Sequence, residues 1–538
     1  MTKYAKHVNR RKTAQSKPIP GKQQHENEAG GFVYAIAPEQ QLLRFLILGH
    51  EGGTYYASEE DLTIESAKNI EALVAADGLA VVKTIVEVSQ SGRAPKNEPA
   101  IFALALCAAV GSPEVKTAAF AAVPAVCRIG THLFQFAEAV QSLRGWGRGL
   151  RNAVGRWYNE KSPKALAYQM TKYQSREGWS HADLLKLAHP TPISTSHDAL
   201  FLRATKSSKE RKGVAGELDP VMMAYLDAVD EVAKCAKNPE RASTLIAAHR
   251  LPREVLPTEL LNEPSIWEAL LNVDMPYTAL IRNLGNLSKC GLLVPMSNAV
   301  GTVAAKLGNG DVLRKARVHP LSILVALNTY QLGHGVRGSG EWKPVTQIVD
   351  VLDAAFYQAF GNVAPIGKRV LFGLDWSGSM GSPELAGMPG ITPAVGAATM
   401  ALVTARTEKQ FEMIAFATNM KSVTISPRER LDDVIRKACK QTGEGTDCAV
   451  PIAYAIEDRI GVDVFVIYTD SQTWAGNIHA SQALDSYRQR MGIPAKLVVV
   501  AMTDSRHSIA DPSDPGVLNV VGFDTNAPAV ISEFARSL

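Results

Sequence analysis

The strongest constraint on how this chain folds is a change of pattern near residue 366. From about residue 60 to 360, apolar residues recur at spacings of three and four, the period of a helix buried on one side. Gly78–Val88, Glu98–Val110, Glu114–Cys127 and Thr131–Leu143 follow one another with short breaks at Gly111–Pro113 and Arg128–Gly130. Short-linked helices over such a length predict stacked antiparallel pairs of the HEAT type, although no repeat consensus marks them. After residue 366, apolar runs at Val370–Leu374, Phe411–Thr418, Asp463–Thr469, Lys496–Met502 and Val517–Gly522 alternate with helical stretches at about 394–408, 429–440, 446–458 and 478–490. That alternation predicts a doubly wound α/β domain with a mostly parallel sheet, which takes ligands outside the carboxyl ends of its strands. The expected division is a basic disordered tail over 1–29, a helical body over 30–366 and the α/β domain over 367–538.

The first apolar run ends in Asp375-Trp376-Ser377-Gly378-Ser379, a D-x-S-x-S that puts one carboxylate and two hydroxyls on a strand-end loop. Thr442-Gly443-Glu444-Gly445-Thr446-Asp447 is a glycine-bearing loop opening a helix, and Asp470 closes the run Val464–Thr469. In doubly wound order the three loops reach one sheet edge, so Asp375, Ser377, Ser379, Thr446 and Asp470 can converge. Oxygen-only donors select a hard cation, Mg²⁺ or another divalent ion. Two carboxylates and three neutral hydroxyls leave little net negative charge, so an ion held there keeps an open position for a carboxylate. Singly these are ordinary turn residues; the pattern lies in the three loops together. No His-rich ligand set and no placed general base accompany them, so no enzymatic activity is expected. Asp447 reads as a helix N-terminal charge and Glu444 as a loop acid.

The net charge of +4 divides into −3 over residues 367–538 and +7 before them. Much of the excess lies in Lys3, Lys6, Arg10, Arg11, Lys12, Lys17 and Lys22, with no acid among the first 22 residues. Such a tail serves as a solubilising arm or as a non-specific clamp on phosphate. Six scattered cysteines without a CxxC pair exclude a zinc framework and a disulfide lattice, which fits a reducing, cytoplasmic setting. With no apolar leader and no run of about 18 apolar residues, neither a secretory signal nor a membrane span is expected.

Residues 144–179 are both basic and aromatic. Arg144, Arg148, Arg151, Arg156, Lys161, Lys164, Lys172 and Arg176 face only Glu160 and Glu177, with Trp146, Trp157, Tyr158, Tyr173 and Trp179 interleaved. Cations neutralise phosphates and aromatic planes stack on unpaired bases. The same composition also fits aromatics in a helix core beneath solvated cations, and composition does not choose between the two. Lys172 and Arg176, four apart, would share one face of a helix. His189 stands before Pro190 near a helix end, and His132 flanks the apolar Leu133–Phe136. A basic loop at Arg203–Lys212 and the group Arg314, Lys315, Arg317 and His319 add further positive charge.

These segments resemble the Ro autoantigen family. The resemblance rests on Gly145-Trp146-Gly147-Arg148, Arg156-Trp157-Tyr158-Asn159-Glu160-Lys161, Thr171-Lys172-Tyr173, Arg176-Glu177-Gly178-Trp179-Ser180-His181 and Leu187-Ala188-His189-Pro190. It extends to Glu51-Gly52-Gly53-Thr54-Tyr55-Tyr56, Cys127-Arg128-Ile129-Gly130-Thr131-His132 and Arg317-Val318-His319-Pro320. The oxygen constellation after residue 366 is similar to the metal-ion-dependent adhesion site of von Willebrand factor A domains. The resemblance implies a ring of HEAT-like helices, the TROVE module, closed beside a von Willebrand A domain. It implies Y-type small noncoding RNA on the outer surface, near Lys172, Arg176 and His189. It also implies single-stranded 3′ ends of misfolded RNAs in a central hole, near Arg128, Thr131 and His132, with Arg148 and Arg156 as further RNA contacts. The expected protein is a monomer that partners with a 3′ exoribonuclease such as polynucleotide phosphorylase and offers its metal site to an unidentified acidic protein ligand. A protein-interaction module gripping an acidic residue, with RNA secondary, is the alternative.

Overall fold

The computed structural model describes residues 12–50, 58–206, 219–335, 340–360, 365–385, 388–421, 426–438, 440, 444–522 and 527–536. The Glu51–Tyr56 motif, Lys209, Arg211 and Lys212 of the basic loop, the tail before Lys12, and Thr442 and Gly443 lie outside them.

Helices run from Pro38–Leu48 to Thr346–Ala359, and local chemistry starts many of them. Ser112-Pro113, Ser162-Pro163 and Asp219-Pro220 each pair an N-cap oxygen with a proline whose missing N–H costs a first-turn position nothing. The expected helix at Gly78–Val88 is the second half of a longer one, Glu59–Ser91. Asp77 breaks that helix with φ −150° and ψ 76°, and its carboxylate restarts it by accepting from the Ala80 amide at 3.1 Å. The helical run closes on itself: Arg317 donates to the Gln90 carbonyl at 3.0 Å and His319 to that of Arg93 at 3.1 Å. Among the described residues no helix is long and apolar enough to cross a membrane, and the five described cysteines are free.

The C-terminal part is built on a six-stranded sheet. Its order is Val517–Val521, Lys496–Ala501, Val464–Thr469, Val370–Asp375, Phe411–Phe416 and Met420–Lys421, parallel except for the last pair. The central strands are buried on both faces, which is why they read as continuous apolar runs. Phe372, Leu374, Val466 and Tyr468 pack on the side of helix Pro393–Ala405. Leu371, Phe465 and Ile467 pack on the side of helices Val450–Glu457 and Ala480–Met491. The first cluster continues without a break into Leu321–Phe360 of the helical body. The α/β unit touches both ends of the helical run. Arg44 and His50 reach Ser505, His507 and Asp504, while Gln331 and Asp350 meet Asp432 and Arg430 at 2.8 Å.

The expectation of a disordered tail fails. The stretch from Lys12 to residue 29, expected to be disordered, packs against the α/β unit. Strand Phe32–Ala35 pairs antiparallel with His25–Glu26 on one side and with His507–Ser508 on the other. Gln15 is fully buried, and Lys22 pairs with Asp511 at 2.6 Å. Low apolar content hid this segment, which is held by hydrogen bonds to distant residues and not by a core of its own.

Candidate functional site

Strand order places the oxygen constellation. The chain enters the sheet at Val370–Asp375, grows to one side, then returns to lay Val464–Thr469 on the other, so the strands ending at Asp375 and Thr469 flank the switch point where such sheets take ligands. The structure brings the three loops together. Asp375 Oδ2 accepts from the Thr469 hydroxyl at 2.6 Å, and the Ser379 hydroxyl donates to Asp470. Ser377 and Ser379 hydroxyls stand 3.3 Å apart, and Gly378 N–H reaches the Glu444 carbonyl at 3.2 Å. The Thr446 carbonyl accepts from the Trp474 and Ala475 amides, both at 3.0 Å. All five predicted donors are buried, Asp375 completely.

The donor set fits a divalent cation. Asp375 is pushed up to about 7, first by burial and then by the neighbouring charge of Asp470, whose own carboxyl burial also raises. Among the described residues neither carboxylate is ion-paired with a Lys or Arg. Hydroxyls and two backbone amides, Ser377 N–H to Asp375 and Gln472 N–H to Asp470 at 3.0 Å each, surround these buried like charges, which still need a counter-ion or a proton. Glu444 faces away, to Lys421 and to the Thr418 hydroxyl at 2.8 Å. Asp447 accepts from the Ala449 amide at the start of the next helix, as its position foretold.

The basic stretch divides. Trp157 and Tyr158 are core residues with no exposed surface. Tyr158 OH bonds the His181 ring at 2.7 Å, and Trp146 stacks on Trp179 with ring centroids 5.7 Å apart. Arg148, Arg151 and Arg156 project outward from helix Arg148–Asn159. His189 caps its helix in the left-handed region at φ 46° and is exposed, and the adjoining Thr191 carbonyl accepts from Asn159 of that arginine-bearing helix at 2.9 Å.

Lys172 and Arg176 do not share a helix face. The helix ends at Lys172, and Arg176 sits in a two-residue strand paired with Trp179–Ser180, exposed beside Glu177 at 2.9 Å. Lys172 is mostly covered, its ammonium 5.3 Å from the Tyr168 ring, 3.1 Å from its hydroxyl and 3.9 Å from Glu254. Arg128 and His132 belong to a separate network. The Arg128 guanidinium donates to Ser89 at 2.8 Å, Ser89 to Asn97 at 2.7 Å, and Asn97 stands 3.3 Å from His132. Burial pushes His132 down to about 4, so it is neutral near pH 7 and offers no positive charge to a phosphate. Thr131, half-buried, lies one residue past Gly130, whose amide donates to Gln169 at 3.0 Å.

No sequence signal marked the residues packed behind the oxygen-bearing loops, Gln15, Asn27, Glu28 and Thr473. The nearest signal is the short run Phe32-Val33-Tyr34 after Gly30-Gly31, too brief to carry a period.

Comparison with known proteins agrees with this architecture. The TROVE domain model matches residues 25–246 and 234–332, and the Ro60 vWA domain model matches residues 369–535. The chain is 40% identical over 515 residues to the RNA-binding protein RO60 of Deinococcus radiodurans, covering 95% of each. It is 35% identical to the RNA-binding protein RO60 of Caenorhabditis elegans, over 95% of this chain and 90% of that one. The crystal structure of the Deinococcus radiodurans RO (RSR) protein superposes with a TM-score of 0.71 at 39% identity, covering 93% of this chain and 99% of that one. A closed helical body fused through a common core to a von Willebrand A-type sheet, matched along nearly the whole chain, places this protein in the Ro60 family.

Proposed function

We propose that the protein is a non-enzymatic RNA-binding scaffold of the cytoplasm. It carries Y-type small noncoding RNA on the outside of its helical body and single-stranded 3′ ends of misfolded RNAs within it, contributing to RNA quality control alongside a 3′ exoribonuclease such as polynucleotide phosphorylase. The identity to RNA-binding relatives over 95% of the chain carries this reading. The outward cations Arg148, Arg156 and Arg176, with exposed His189, supply the phosphate chemistry. Arg128 bonds Ser89 whereas Lys172 lies beside Glu254, and these separate neighbourhoods are consistent with two RNA surfaces.

The test is binding of the full chain to a structured RNA with and without a single-stranded 3′ tail, across a salt series. Affinity should favour the tailed RNA and fall linearly on a log–log salt plot. Indifference to the tail at moderate salt would sink the proposal. Incubation of the labelled RNA with Mg²⁺ should leave it intact.

A second reading adds to the first. The unpaired buried carboxylates favour a divalent cation held by Asp375, Ser377, Ser379, Thr446 and Asp470. When bound, such an ion supplies a Lewis-acidic position for an acidic protein ligand. The hydroxyls and carboxylates hold it, and the sheet edge orients them.

A further inference from the structure

We propose that residues 12–36 form a positioning strap for the metal centre, with Gln15 and Asn27 as its positioning residues; the inference rests on the divalent-cation reading of the five oxygen donors. The two ligand loops fix each other. The turn after Asp470 grips Thr446 through the Trp474 and Ala475 amides and the Thr473 hydroxyl, which reaches the Thr446 carbonyl at 3.3 Å. That turn is in turn held from outside by the strap.

Gln15 is the bolt. Its Nε2 donates to Asp447, next to Thr446, at 2.6 Å and to the Ile478 carbonyl at 2.8 Å, while its Oε1 accepts from the Thr473 hydroxyl. One buried side chain thereby ties the neighbour of one predicted ligand to the third residue after another. Asn27 Nδ2 donates to the Ser471 and Thr473 carbonyls at 3.3 and 3.0 Å, and Gln472 donates to Glu28 at 2.6 Å. Residues 471, 472 and 473 are therefore each held by the strap.

Two further observations point the same way. Ser471, the residue after Asp470, has φ 64°, a left-handed conformation that a non-glycine residue keeps only when its surroundings impose it. Gly31 lies so close that a Cβ there would stand 1.8 Å from the Thr473 carbonyl oxygen, so the strap and the loop fit backbone to backbone. Groups that orient metal ligands cost about 10–100-fold in affinity when removed.

The experiment uses Mn²⁺ as the probe, its free form followed by electron paramagnetic resonance, with the full chain. Gln15→Met keeps the volume and loses the bolts. Asn27→Asp keeps the acceptor for the Ala29 and Gly31 amides but turns the donor to Ser471 and Thr473 into an oxygen. Lys22→Ala cuts the strap's anchor at Asp511, away from the loops, and serves as the control. Melting temperatures are measured alongside, so a variant that does not fold is replaced by the other. Both Gln15→Met and Asn27→Asp should bind Mn²⁺ at least about tenfold more weakly, and Lys22→Ala should bind it like the wild type. Wild-type affinity in the two strap variants would overturn the proposal, as would an equal loss in Lys22→Ala. If wild type and Asp375→Ala bind Mn²⁺ alike, the cation reading itself falls and takes the strap's role with it.

Discussion

His132, His181 and His319 are each held at about 4 by burial, against about 6.5 in an unfolded chain. As pH falls from 6.5, the unfolded chain takes up these protons first. Stability is therefore complete above 6.5 and is lost as pH drops toward 4, by about 1.4 kcal/mol per pH unit for each histidine. His319 is the cleanest probe, because its ring also caps a helix by accepting from the Leu321 amide at 3.2 Å. His319→Asn retains a capping acceptor, so denaturation between pH 5 and 6 should show a shallower pH slope by that amount. Lys172 and Arg176, alike in sequence, differ in exposure. Lys172→Glu would set a carboxylate against Glu254 and should lose about 1–3 kcal/mol of stability, whereas Arg176→Glu should melt like the wild type and lose RNA affinity. A charge-reversal scan that measures melting and RNA binding on the same samples separates the two. At the oxygen site, excess Mg²⁺ should raise the melting temperature of the wild type, worth about 2.7 kcal/mol at a hundred times Kd, and leave Asp375→Asn unmoved. Equal shifts in both proteins would contradict the assignment.

At the scale of elements, legibility followed burial. The strands Val370–Asp375 and Val464–Thr469 are covered on both faces, so the residues before the closing Asp375 and Thr469 make a nearly continuous apolar run that announces itself. Their order then brought Asp375 and Asp470 to one edge with no structural information beyond alternation. The helices of the body were legible from their period, but not the kink at Asp77, because an aspartate inside an apolar pattern looks like any solvent-facing residue. Hairpin Ser175–Ser180 defeated the helical period assumed between Lys172 and Arg176, since two-residue strands carry none. The strap was invisible for a different reason. Its contacts are polar and join residues more than 400 positions apart, as in the 432-residue separation of Gln15 and Asp447, and neither propensity nor period reports such pairs.

For the whole molecule, the shared apolar cluster makes the helical body and the α/β unit one cooperative structure. Calorimetry of the full chain should give a single transition; two resolved transitions would show that the parts unfold independently. Arg44 offers the sharpest test at this scale. Its guanidinium is buried and donates to the Ser505 and His507 carbonyls across the junction between the first helix and the α/β unit. Arg44→Leu should destabilise the protein by about 3 kcal/mol or more by leaving those carbonyls unmet. The strap also has a consequence in time. Gln15 emerges from the ribosome 432 residues before Asp447 exists. At about 5–20 residues per second, that is roughly 20–90 seconds of synthesis. The strap thus waits, without its binding surface, until the loops of the α/β unit are translated, and its docking reports that those loops have formed.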